Sequence, residues 1–144
     1  MGYTPMQREE WLAFLRAPVR PAVLATTRAD GRPHIAPVWY DLDDDGTVLF
    51  NTSAATVKGR TIARDGRVSL CVQDDQPPFS FVTVSGQAVW SDELDDVRRW
   101  ATRIGGRYMG PDRAEEFGTR NSGPGEWIVR VVPDHVVAYK NVTD

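Results

Sequence analysis

The chain has 144 residues, 41% hydrophobic and 26% charged, with a net charge of −3 and a pI near 5.4. This is one domain's length, enough to bury a core without disulfides or a metal. The acidic balance argues against a nucleic-acid partner for the domain as a whole, so its basic residues must act locally.

Thr4-Pro5 reads as an N-cap followed by proline at the first helical position. With Trp11, Leu12, Phe14 and Leu15 as an apolar stripe, a helix is expected over about 5–17, ending before Pro18. Residues 20–27 (RPAVLATT) read as a strand and Asp30-Gly31 as a hairpin turn. A second strand over 33–42, a turn at Asp45-Gly46 and a third strand over 48–51 follow. Residues 54–64 read as a short helix with Val57 and Ile62 inward, stopped by Asp65-Gly66. Residues 67–74 and 79–90 are two further strands joined across Gln76-Pro77-Pro78, with Phe79 and Phe81 on one face and Ser80 and Val82 on the other. A helix from Asp92 to about Arg103 carries Leu94, Val97 and Trp100 on one side. A glycine-rich break, a short helix over 111–117 and two last strands, 126–132 and 135–140, complete the chain. Turns at roughly 8–12-residue spacing predict an antiparallel barrel rather than a doubly wound sheet. The expectation is a mainly β, single-domain chain over 1–144, with the barrel over about 20–140 and peripheral helices. So small a barrel has little interior room, and a large ligand must lie in a groove outside it.

One cysteine, Cys71, excludes an intramolecular disulfide. With two distant histidines, no zinc-ligand spacing exists, and no metal is expected. The N-terminus is amphipathic and acidic, unlike a signal peptide, and no apolar run nears membrane-spanning length. The expected setting is the cytoplasm, with no membrane partner. No GxGxxG, Walker A or GxSxG pattern is present. "RIGGRYMG" and "GPGEW" follow helix and loop and read as caps and turns. His34 and His135 are lone histidines that read first as structural, and the acidic run from Asp41 to Asp45 reads as a solvated hairpin tip.

Lys58 and Arg60 stand apart. Thr52, Ser53 and Thr56 precede them and offer hydroxyls and backbone N–H groups at a helix start, where anions bind. The same cations suit a solvated helix face, since Arg64 and Arg67 follow; the residues alone leave both readings open. Two residues apart on a helix, Lys58 and Arg60 should not share a face. Trp39, Tyr40, Phe79 and Phe81 add aromatic strand positions that suit a planar ring, a second subunit or the core.

The runs "VLATTRADGRPHIAPVWYDLDDDGTVLFNTSAATVKGRTIARDGRVSLCVQDD", "PPFSFVTVSGQAVW", "RYMGPDRAEEF" and "VRVVPDHVVAYK", in this order, resemble the pyridoxamine 5′-phosphate oxidase-like split β-barrel superfamily. Within it they are most similar to the coenzyme F420-dependent oxidoreductases of actinobacteria. The resemblance covers about residues 8–140. It implies an FMN-binding type of split β-barrel, antiparallel and Greek-key, forming a homodimer with two cofactor grooves at the interface. It implies that His34, Ile35 and Ala36 line a deazaflavin ring. Asn51, Thr52 and Ser53 hold its ribityl and phosphate region. Val57, Lys58 and Arg60 bind the phosphate and acidic tail, and Phe79, Ser80 and Phe81 come from the other subunit. Some relatives carry an extra Arg where this chain has Thr56, which implies weaker anion binding or compensation by Arg60. The Arg- and His-rich C-terminal motif of true pyridoxamine phosphate oxidases is missing, which argues against vitamin B6 chemistry. The implied activity is hydride transfer between reduced coenzyme F420 and a small organic acceptor. An FMN-dependent oxidoreductase of the same fold and a non-catalytic cofactor-storage protein are the alternatives.

Overall fold

The computed structural model describes residues 3–144. Its elements are β1 (Thr4–Pro5), α1 (Arg8–Arg16), β2 (Ala22–Thr27), β3 (Pro33–Val38), β4 (Tyr40–Leu42) and β5 (Val48–Ser53). Then come α2 (Val57–Arg64), β6 (Arg67–Asp74), β7 (Ser80–Ser91), α3 (Leu94–Met109), a 3-10 turn (Pro111–Arg113), α4 (Ala114–Arg120) and β8 (Glu126–Lys140). All pairings are antiparallel, in the order β3-β2-β6-β7-β8-β5-β4, with β1 added to β8. The strands at the two ends of this order, β3 and β4, are consecutive in the chain and separated only by Trp39. The sheet therefore curls until its ends share one bent strand. This is a split β-barrel with peripheral helices, and the expected 33–42 strand breaks at the bend.

Strand alternation builds the barrel interior. Ala22, Leu24 and Thr26 of β2 point inward, as do Val68, Leu70 and Val72 of β6 and Val82 and Val84 of β7. Leu15 from α1 and Ile62 from α2 join the same cluster. The Tyr40 hydroxyl donates to the Leu15 carbonyl at 2.7 Å. Burial, with Tyr108 adding to it, pushes the Tyr40 phenol up to about 12, so it remains a donor throughout the physiological range. Two strands depart from alternation. In β5, Val48, Leu49 and Phe50 are all buried, and in β8 so are Ile128 and Val129. One set faces the barrel, while Leu49 and Ile128 pack on Val97 and Trp100 of α3. A strand covered on both sides reads as continuous apolar sequence.

Several elements differ from the sequence expectation. Thr4-Pro5 is not a helix cap: it pairs with Tyr139 and Lys140 as a short edge strand. The helix begins after Gln7, whose backbone N–H donates to the Glu10 carboxylate at 3.1 Å. Gly105 and Gly106 do not break α3, which runs on to Met109 and stops at Gly110 with φ of 98°. They serve a helix crossing: a Cβ on Gly105 would lie 2.5 Å from the Phe117 Cβ of α4. Leu94, expected on the buried side, stands exposed at the first turn of α3. The two expected last strands are one, with a register shift between Ser85 and Gly86 where Pro133 and Asp134 pass opposite. Phe79 lies outside β7 with φ of 59°, so it does not share a strand face with Phe81 by alternation.

Gly105→Ala therefore tests the crossing. Overpacking of this kind costs about 1–3 kcal/mol. The expected result is a lower denaturation midpoint in urea with an unchanged slope; unchanged stability would mean that α4 moves aside freely.

Candidate functional site

A cleft of about 390 Å³ opens beside the β3–β4 bend. Pro37, Val38 and Trp39 form one wall, and Ala101 and Ile104 of α3 form another. Trp39 is held by stacking on Tyr108, centroids 5.0 Å apart and planes 5° from parallel. The remaining lining is polar: Asn51, Thr52 and Ser53 at the end of β5, Lys58 of α2, Asn121, and Glu126 at the start of β8.

The local sequence explains why Lys58 stands there. Thr56 caps α2: its hydroxyl accepts the Gly59 N–H at 3.0 Å and donates to the Ser53 carbonyl at 2.8 Å. A methyl group on Gly59 would overlap that carbonyl, so glycine lets the first turn of α2 sit directly on the end of β5. No acidic residue occupies that turn. The unpaired N–H groups, the helix dipole and the Lys58 ammonium all favour an anion. Lys58 and Arg60 do diverge as their spacing predicts. Arg60, with Val57, lines a separate open cleft of about 300 Å³ that also holds Arg28, Arg64 and Arg32, the last ion-paired to Asp30 in the same lining. Its guanidinium donates to the Ala55 carbonyl at 2.7 Å, and Arg64 donates to the Thr27 carbonyl.

The other expected residues fall elsewhere. His34 and Ala36 pair with Thr26 and Leu24 and share their inward face, whereas Ile35 stands on the outer face, 63% exposed. Nδ1 of His34 is buried without a hydrogen-bond partner. Phe81 packs on Tyr139, at the opposite end of β8 from Glu126, and Phe79 and Ser80 adjoin it. Within one chain, then, Asn51, Thr52, Ser53 and Lys58 gather in one cleft, while Val57 and Arg60 flank it. His34, Ile35, Ala36, Phe79, Ser80 and Phe81 do not line that cleft. Sequence reasoning missed the α3 wall, Asn121, the Arg28–Arg32–Arg64 cluster and Glu126. The turn glycines of "GPGEW" mark the strand start at Glu126 but give no sign that it faces the cleft. Burial raises its carboxyl above the usual range, and Lys58 partly offsets this.

The lining divides into a polar end and an apolar wall. Hydroxyls, an amide and an ammonium converge at one end, and an apolar aromatic wall continues from them. Among the described residues no three metal-ligating side chains converge, and no helix is long and apolar enough to cross a membrane.

A curled antiparallel barrel closed at one bent strand, with helices at its sides, defines the split β-barrel class. Over residues 7–136 the chain matches the pyridoxamine 5′-phosphate oxidase family, and it belongs to that family. It is similar in structure to a conserved hypothetical protein of Mycobacterium tuberculosis: 26% identity, TM-score 0.83, 94% of this chain and 86% of that one covered. An F420 reductase shares the fold at 22% identity and TM-score 0.68, covering 92% and 98% of the two chains. The heme storage protein of Vibrio cholerae does so at 15% identity and TM-score 0.72, covering 93% and 96%. No curated protein sequence matches the chain.

The α3 wall depends on one ion pair. Arg130 of β8 donates to both Asp96 oxygens, at 2.7 and 2.8 Å, and these bonds hold the mostly buried Asp96 carboxyl below its usual range. The folded pKa is depressed, so the pair's stabilisation is present above the ordinary aspartate range. It is lost as pH falls through the folded value. Asp96→Asn should cost about 1–3 kcal/mol at neutral pH. It should also flatten the loss of stability below about pH 4. Denaturation midpoints at several pH values check both; a parallel downward shift at every pH would exclude the ionic role.

Proposed function

We propose that this chain is a deazaflavin-dependent oxidoreductase, a cytoplasmic homodimer that transfers hydride between reduced coenzyme F420 and a small organic acceptor. The observation that carries the reading is the phosphate end of the cleft: Lys58 on an acid-free first turn, packed against Asn51, Thr52 and Ser53. Lys58 would neutralise the cofactor's phosphate, and the β5 residues would bond its ribityl chain. Arg60, with Arg28, Arg32 and Arg64 beside Val57, would meet an acidic tail. The His34-Ile35-Ala36 segment would meet the ring through its backbone and the exposed Ile35 side chain, since the His34 and Ala36 side chains face inward. The bound deazaflavin would supply the hydride. The protein's part is to bind, orient and exclude water, so no acid–base triad is required.

The same placement supports a dimer. Ile35 and Val23 expose apolar side chains on the outer sheet face. Phe79, Ser80 and Phe81 lie far from their own cleft, and would reach a ring from a second copy. An FMN-dependent enzyme is the second reading, and the fold of an FAD-binding protein from Mesorhizobium loti, similar at TM-score 0.71, favours weighing it. A cofactor-holding protein without turnover is the third, favoured by the fold of the heme storage protein.

Parallel fluorescence titrations with coenzyme F420 and FMN decide the cofactor; tighter or equal FMN binding would overturn the deazaflavin reading. Turnover with a panel of acceptors separates enzyme from store. Lys58→Ala should weaken cofactor binding about ten- to a hundredfold, the worth of a charge-assisted hydrogen bond, with the fold intact. Arg60→Ala should do less. The double variant Phe79→Ala with Phe81→Ala should loosen both dimer and cofactor, read by sedimentation and titration together. A wild-type monomer that binds cofactor normally would refute the arrangement.

A further inference from the structure

We infer that Lys58 and Glu126 form one anion site that takes up its ligand together with a proton. The inference rests on the reading of the cleft as an anion site and adds a residue to it.

Both groups are fixed to the same residue, Ser53. Lys58 sits on the α2 turn whose capping Thr56 bonds the Ser53 carbonyl. Glu126 is the direct cross-strand partner of Ser53. The turn Gly123-Pro124-Gly125 pins it there: the Glu126 N–H donates to the Gly123 carbonyl at 3.1 Å, and the Ala54 N–H donates to Gly125 at 2.8 Å. Gly125, with φ of 84°, adopts a backbone that other residues rarely take. The two side chains face one cleft, and among the described residues neither head group makes an ion pair or a hydrogen bond.

The surroundings of Glu126 carry little other charge. Across the cleft α2 offers Lys58. β5 offers neutral Asn51, Thr52 and Ser53, and α3 offers Ala101 and Ile104. The segment after α4 contributes Asn121 and Ser122, and Asp92 shares a small hollow with Glu126 on its other side. An anion docking at Lys58 would thus meet a half-buried carboxylate with no second cation to offset it. Two acceptors repel. A proton between them turns the repulsion into an O–H···O hydrogen bond. Burial already raises the Glu126 carboxyl, which eases that uptake. The proton can sit on Glu126 or on the ligand. A phosphate monoester, whose second ionisation lies near neutrality, brings its own; a sulfate cannot.

Sulfate is the probe, because its charge does not change between about pH 5 and 8, so a slope in that range reports a proton held by the protein. Calorimetric titration at constant ionic strength should show wild-type affinity falling as pH rises, by up to about tenfold per unit where one proton is taken up. Glu126→Gln should abolish the slope and bind sulfate more tightly than wild type at the upper end. Asp92→Asn should keep the slope. Circular dichroism confirms that each variant is folded. A wild-type slope retained in Glu126→Gln, or no sulfate binding by wild type at any pH in the range, overturns the inference. Lys58→Ala separates this from the parent reading. If it still binds sulfate as wild type does, the cleft is not the anion site at all. If it loses sulfate while Glu126→Gln retains the slope, the site stands and the proton coupling falls.

Discussion

The site depends on α3 lying across the outer face of β5 and β8. A barrel alone would leave Leu49 and Ile128 in water, and burying each is worth about 1.5–3 kcal/mol. Val97 and Trp100 cover them. Arg130 then fixes the first turn of α3 through Asp96, so the helix can neither slide nor rotate without breaking a bidentate bond. That placement carries Ala101 and Ile104 to the edge of the sheet, where they become the wall of the cleft. Gly105 and Gly106 admit α4 close against α3, which brings the following Asn121 to the same opening. A binding cleft thus results from a packing requirement: one strand pair whose two faces are both apolar.

How far the sequence could be read follows from the range of the forces involved. Asp30-Gly31, Asp45-Gly46 and Asp65-Gly66 were legible because a turn is decided within a few residues. Gly31 and Gly46 take positive φ, and Asp65 ends α2. The same reading misjudged Gly105-Gly106, because the reason for those glycines is Phe117, in another helix. Thr4-Pro5 carried a sound local cap signal that lost to pairing with the free edge of β8. Pro133 suggested a chain break, but a bulge admits proline inside a long strand. Phe79 was assigned a face by alternation, and a left-handed residue has no place in that count.

The candidate site divides along the same line. Helical geometry was enough to separate Lys58 from Arg60, since their divergence is a property of one turn of helix. The cluster at Asn51, Thr52 and Ser53 was readable because β5 runs directly into the cap of α2. Glu126 was not, because only strand pairing brings it opposite Ser53 from a distant part of the chain. The roles of His34, Ile35, Ala36, Phe79, Ser80 and Phe81 came from resemblance alone. Their scatter within one chain is the physical reason that no local pattern could have joined them.

The same barrel recurs in structures only 15% and 22% identical to this chain, so the fold is not what fixes the lining of the cleft. The cleft shows where selection can reside. Its Lys58 end is built into the core: Thr52 is buried, and Gly59 admits no side chain against the Ser53 carbonyl. Changes there disturb β5 and α2 together. The rest of the lining hangs from outside the barrel. Trp39 leans on Tyr108 and Phe117, Asn121 follows α4, and Glu126 is held by a glycine turn. Each can change in size or charge without altering a barrel-interior contact. An end that is costly to alter lies beside walls that are cheap to alter, so one scaffold can keep its polar end while the rest of the lining diverges. By that logic what the cleft admits is set at the bend at Trp39 and the α3–α4 edge rather than in the barrel strands.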